Sequence, residues 1–152
     1  MTKYPGTGAD EMTSILLSFP PNGTHGIATT NLRVSDDPGR KGLTGPSIRI
    51  QCTLAEIQIF GPAYRPTGYR IIPAGENNGV EMKEVSRDIP GGGMFWEADE
   101  AGRCVRDGRL ESEGLPLEES VVIMETMDEV RRQNGLVYPE VIESVEYPLE
   151  LK

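Results

Sequence analysis

The feature that most constrains the fold is a change of hydrophobic period two thirds of the way along the chain. Up to about Val85 the apolar residues alternate in steps of two. Ile48, Ile50 and Cys52 fall opposite Arg49 and Gln51, and Ile57 and Ile59 fall opposite Glu56 and Gln58. That spacing belongs to strands with one apolar and one polar face. From Met94 onward the spacing is helical. Phe95, Ala98, Ala101 and Val105 form one stripe, and Leu117, Ser120, Ile123, Met124, Met127 and Val130 form another. Strands first and helices after them specify an α+β fold: an open, mostly antiparallel sheet with helices packed on one face.

Turn chemistry sets the boundaries. Met12–Phe19 and Gly26–Val34 are joined by Pro20-Pro21-Asn22-Gly23, which predicts a hairpin. Ser35–Gly45 reads as a loop, and Gly91-Gly92-Gly93 as a flexible lead-in to the first helix. Tyr69–Ile72 and Val80–Val85 complete the short strands. Gly108 and Gly135 are helix terminators, and Pro116 suits a helix start. Glu118 and Glu119 in the first turn and Arg131 and Arg132 in the last favour the second helix through its dipole. Val141–Leu149 reads as a last strand. The 152 residues suit one domain, with residues 1–11 a loose lead-in.

Charge narrows the function classes. The net charge is −9, and the only Lys/Arg doublets are Arg40-Lys41 and Arg131-Arg132, so a nucleic-acid footprint is missing. No apolar run approaches a membrane span, and the N-terminus has no signal-peptide core, so a cytoplasmic location is expected. Cys52 and Cys104 are expected as reduced thiols. Two cysteines and one histidine supply no structural zinc set, so no metal site is expected.

Several residues could carry chemistry. His25, the only histidine, is a candidate general acid or base; the competing reading is an exposed side chain beside a turn. Arg33, Arg49, Gln51 and Gln58, with Asn31, are expected on the polar face. There a row of donors could polarise a substrate carbonyl, or simply be solvated. Tyr64, Tyr69, Phe95 and Trp96 flank Pro/Gly-rich loops and could wall an apolar ligand, or pack as core. Met124 and Met127 read as core. The acidic pairs Asp36-Asp37 and Glu118-Glu119 read as a loop and a helix start.

Gly91–Glu140, the strand pairs Ser14–Phe19 with His25–Val34 and Pro46–Gln51 with Ala55–Ile59, the loop Gly61–Pro66 and the run Phe95–Glu100 carry a family likeness. Over roughly residues 12–148 the chain resembles the C-terminal part of the glucose–fructose oxidoreductase / inositol dehydrogenase family. Its dimeric dihydrodiol dehydrogenase-like fungal members look closest. The turn Thr53-Leu54-Ala55-Glu56-Ile57 replaces a glycine usual there. The resemblance implies the sheet fold, a homodimer through the open sheet face, and a substrate pocket at its edge. The family's Gly-x-Gly-x-x-Gly turn and Glu-Lys-Pro motif have no counterpart; Gly6-Thr7-Gly8 reads as loop. No cofactor residue can therefore be carried over.

These readings lead to a first expectation of a cofactor-free cyclase or isomerase of fungal secondary metabolism. It would fold a small apolar metabolite for a Diels–Alder-type closure. Arg49, Tyr69 and His25 would be catalytic, and Arg33, Gln51, Tyr64, Phe95 and Trp96 would bind substrate. The alternatives are an accessory subunit of a split NAD(P)-dependent oxidoreductase and a non-catalytic dimeric binding protein.

Overall fold

The computed structural model describes residues 1–35, 45–76 and 78–148. Asp36-Asp37, Arg40-Lys41 and Leu149 lie outside the described residues. The elements in chain order are β1 (Thr2–Lys3), β2 (Asp10–Phe19), β3 (Thr24–Asn31), β4 (Pro46–Gln51), β5 (Ala55–Phe60), β6 (Gly68–Pro73) and β7 (Lys83–Ser86), then α1 (Phe95–Arg106), α2 (Leu117–Gln133) and α3 (Glu140–Glu143). The fold is α+β, with its strands divided between two antiparallel sheets, β1-β2-β3 and β4-β5-β6-β7. Contacts divide the chain, expected as one domain, into two compact units: Met1–Arg33 with Glu111–Lys152, and Val34–Leu110.

In the first unit, the β2–β3 hairpin pairs Phe19 with Thr24 at its tip and Met12 with Asn31 at its base. Pro20–Asn22 form a 3-10 turn, closed by Gly23 at φ 61°. That left-handed value is available to glycine without a Cβ clash. Residues 1–11 carry β1 and the start of β2 rather than a loose lead-in. The intervening turn is held by Tyr4 N–H to Ala9 O at 2.8 Å and Gly8 N–H to Tyr4 O at 2.8 Å. Lys3 Nζ donates to Gly135 O at 2.6 Å.

Both long helices end as the glycines specify. Gly108 N–H bonds Val105 O and Arg109 N–H bonds Cys104 O after α1. Gly135 N–H bonds Arg132 O and Leu136 N–H bonds Arg131 O after α2. Each is a Schellman closure, in which two otherwise unpaired carbonyls are satisfied. Gly91, Gly92 and Gly93 are not a flexible lead-in; they lie in and just after a tight 3-10 turn, all at positive φ.

The helical stripes are not buried as their spacing suggests. In α1, Val105 is 81% exposed and the buried residue is Cys104. Cys104 Sγ lies 3.6 Å from Glu100, which Arg109 also reaches at 3.4 Å. Burial pushes the Cys104 thiol upward. In α2 no residue is buried, and of the expected stripe only Ser120 and Val130 are partly covered. The described core is thin: Cys104, Leu136 and Thr13 are the buried side chains. Periodicity shows which residues share a face. It does not supply the surface that would cover that face.

Two strand assignments move. The strand expected at Val80–Val85 is Lys83–Ser86, and the tail expected as a strand opens with the short helix α3. Pro139, with extended φ and ψ, starts that helix. Arg131 then holds it by bonding Glu143 at 2.5 Å, with its guanidinium 4.7 Å from the Tyr138 ring.

Candidate functional site

The most organised polar cluster lies on one face of the four-stranded sheet. Antiparallel register sets Arg49 opposite Gln58, Gln51 opposite Glu56, and Arg70 opposite both Gln58 and Glu84. Residues directly opposite one another project to the same face. Three of these side chains converge on Glu56. Arg49 Nε and Nη2 donate to its two oxygens at 3.0 and 2.6 Å. Gln58 Nε2 donates at 2.7 Å and Gln51 Nε2 at 3.2 Å. The hydrogen bond from Arg49, followed by that from Gln58, lowers the Glu56 carboxyl to about 2. Alongside, Arg70 bonds Glu84 at 2.7 Å, and its guanidinium lies 5.3 Å from the Phe60 ring.

This network changes what the row of donors can do. The expected donors Arg49, Gln51 and Gln58 do share a face. Their partner, however, is a carboxylate of the same sheet. Glu56 is the residue that a search for donors passes over. Its place opposite Ile57 in the alternation is visible in the sequence, but its neighbours depend on strand register.

The other candidates are dispersed. Tyr69 pairs with Ile59 and Val85, on the apolar face of the same sheet. It follows that Arg49 and Tyr69 point to opposite faces and cannot flank one ligand there. His25 pairs with Ser18 near the hairpin tip in the first unit and is exposed. Arg33, also in that unit, bonds Glu11 at 2.5 Å, and its backbone N–H donates to Asn31 Oδ1 at 2.9 Å. Tyr64 is 88% exposed in the β5–β6 connection. Phe95 and Trp96 touch, with ring centroids 4.9 Å apart, and both remain substantially exposed at the start of α1.

A cavity of about 310 Å³ lies at the β4–β5 turn beside Gln51, Cys52 and Glu56. None of the aromatic candidates lines it. Neither Cys52 nor Cys104 forms a disulfide, and Cys52 is exposed. Among the described residues no group of His, Cys, Asp and Glu is placed to hold a metal ion, and no helix is long and apolar enough to cross a membrane. Gly6 and Gly8 sit in the turn between two antiparallel strands, not between a strand and a helix. That turn does not fit a dinucleotide's pyrophosphate, which needs a helix N-terminus behind the glycines.

No protein-family model matches the chain. Individual proteins do. It is 50% identical over 144 residues to a D-xylose 1-dehydrogenase (NADP(+)) of Hypocrea jecorina, covering 90% of this chain and 35% of that protein. It is 28% identical over 137 residues to the human trans-1,2-dihydrobenzene-1,2-diol dehydrogenase, covering 88% of this chain and 38% of that one. The mouse enzyme of the same name is 29% identical over 137 residues. The chain spans little more than a third of the length of the curated relatives it matches.

These relatives overturn the cyclase reading. Proteins named as sugar and diol dehydrogenases share its sequence over most of its length, one at half of the aligned positions. A cofactor-free isomerase or lyase of secondary metabolism has no relative among them. The physical premise fails as well, because Arg49 and Tyr69 are divided between the two faces of the sheet.

Proposed function

We propose that this chain contributes the sheet portion of an NADP-dependent dehydrogenase of the glucose–fructose oxidoreductase / inositol dehydrogenase family. Its substrate would be a small polyhydroxylated molecule, a sugar or a cyclic diol. The nucleotide-binding domain would lie outside these 152 residues. The observation that carries the reading is the 50% identity over 144 residues to an NADP(+)-dependent D-xylose dehydrogenase. The thin core supports it. So does the chain's coverage of 35% of that relative, since the remaining polypeptide would supply both covering surface and nucleotide site. Ile48 and Ile50, exposed on the apolar face of the four-stranded sheet, support pairing of two copies through that face.

The Gly6–Gly8 turn does not fit a dinucleotide's pyrophosphate, and the chemistry at the nicotinamide ring would come from polypeptide outside this chain. The contribution of this chain is the rigid sheet, with its polar face cross-braced around Glu56. The test is a chimera in which this chain replaces the matched stretch of the Hypocrea jecorina dehydrogenase. The expected result is NADPH formation from D-xylose or a cyclic diol. A folded chimera that binds NADP+ but oxidises neither class of substrate would overturn the proposal.

A further inference from the structure

Asparagine is followed by glycine three times, at Asn22-Gly23, Asn78-Gly79 and Asn134-Gly135. Such a pair is chemically reactive wherever the chain lets it move. The backbone nitrogen of the glycine can attack the asparagine Cγ, because glycine has no side chain to shield that nitrogen. The fold holds the three pairs very differently.

Two of them are tied down. Asn78 is partly buried, its Nδ2 donates to Leu54 O at 2.6 Å, and its Oδ1 accepts the Val80 N–H at 3.0 Å. Both ends of that amide are fixed. Asn134 is also partly buried, and its Nδ2 donates to Val130 O at 2.8 Å. Its own N–H bonds Arg131 O at 3.1 Å, and the next two N–H groups close the end of α2. Bringing the Gly135 nitrogen onto the Asn134 side chain needs a rotation about the Asn134 Cα–C bond, and that rotation undoes the closure.

Asn22 has no such ties. It is exposed, and among the described residues its side chain makes no hydrogen bond. It lies in the 3-10 turn beyond the last pair of the β2–β3 hairpin, Phe19 with Thr24. Pro20 and Pro21, just ahead of it, have no N–H to lace the turn. The Gly23 N–H bonds Pro20 O at 3.2 Å, and an exposed bond of this kind at a hairpin tip opens at little cost. We infer that Asn22 is a modification site: it deamidates through a cyclic imide formed with the Gly23 nitrogen, with water as the only co-reactant.

The Gly23 nitrogen gives up its proton to solvent and bonds to Asn22 Cγ. The side-chain Nδ2 takes up a proton and leaves as ammonia. A five-membered succinimide remains. Water then adds to one of its two carbonyls and breaks that carbonyl's bond to nitrogen. Opening at Cγ gives aspartate. Opening at the Asn22 backbone carbonyl gives isoaspartate, with the main chain routed through Cβ and Cγ. Nothing is oxidised or reduced. Either product adds one negative charge to a chain whose net charge is already −9. Isoaspartate also inserts a carbon into the connection between Phe19 and Thr24, which loosens the last pair of the hairpin.

The test is incubation of the unaltered chain at mildly alkaline pH in heavy-oxygen water, followed by trypsin digestion in ordinary water. The three asparagines fall in separate fragments, 4–33, 71–83 and 133–152. Mass spectrometry then counts the labelled carboxyl formed in each and places it on the residue. In the folded chain Asn22 should convert about tenfold or more faster than Asn78 or Asn134, because their amides must first break the hydrogen bonds that hold them. In guanidinium chloride the three rates should converge. Equal rates in the folded chain, or a slower rate at Asn22, would overturn the inference. The product tests the route: a mixture containing isoaspartate is expected, and aspartate alone would mean direct hydrolysis without the imide. Gly23→Ala shields the attacking nitrogen and should slow conversion at Asn22. That comparison is made in guanidinium chloride, so the variant need not fold, and an unchanged rate would contradict attack by Gly23.

Discussion

Replacing Thr13 with valine should stabilise the chain. Thr13 lies in β2 at 4% exposure, and its Oγ1 has no hydrogen-bond partner among the described residues. An unmet buried hydroxyl costs roughly 1–3 kcal/mol, because its hydration is lost and nothing replaces it. Valine keeps the branched shape and puts a methyl where the hydroxyl stood, so no cavity opens. The expected gain is about 1–2 kcal/mol. Serine is the opposing control: it keeps the hydroxyl and loses the methyl, at a cost of about 1 kcal/mol. Urea unfolding gives the readout. With a slope of roughly 1–3 kcal/mol per molar, T13V should raise the midpoint by about 0.5–1 M and T13S should lower it, both with the slope unchanged. A T13V midpoint that falls at constant slope would mean the hydroxyl is bonded in the folded chain, and would refute the reasoning.

Three further outcomes are expected. Gly68→Ala places a Cβ 2.7 Å from the Val85 carbonyl oxygen and 3.4 Å from Ser86 Cα, both backbone atoms of the adjacent strand. It should cost about 1–3 kcal/mol, read as a lower thermal midpoint. Gly135→Ala meets open space but holds alanine at φ +56°, so the cost is that of the left-handed conformation alone, about 1–2 kcal/mol by the same assay. Glu56 has a folded-state value of about 2, lowered from 4.5, so the folded state favours its charged form. Its contribution is therefore complete above the unfolded value and is lost as pH falls through that window toward 2. Arg49→Ala should move the Glu56 carboxyl back upward in a carbon NMR titration; an unmoved midpoint would show that Arg49 is not its main partner.

Local chemistry is readable from sequence wherever one residue decides it. Gly108 and Gly135 end helices because the closing turn needs a left-handed residue, and Pro116 opens α2 because its missing N–H has no partner to lose. The alternation around Arg49 and Gln51 marks one polar face, and the strands carry it. Two things are not readable. The convergence of Arg49, Gln51 and Gln58 on Glu56 depends on register between β4 and β5, and the separation of Arg49 from Tyr69 depends on register through β5 to β6. Periodicity within one strand carries no register. The stripe ending at Val105 fails differently. Its spacing is helical, but the surface that covers α1 lies over Cys104, and the sequence pattern alone does not locate it.

If this chain serves nicotinamide-linked oxidation of a sugar or diol, the hydrogen removed from the substrate must reach the nicotinamide. The most direct measurement follows that hydrogen. The chimera is supplied with NADP+ and substrate deuterated at the carbon to be oxidised, C1 in the case of D-xylose, and the NADPH formed is weighed by mass spectrometry. One deuterium recovered in each NADPH is the expected result. Unlabelled NADPH, or none from a folded chimera that binds NADP+, would contradict the account.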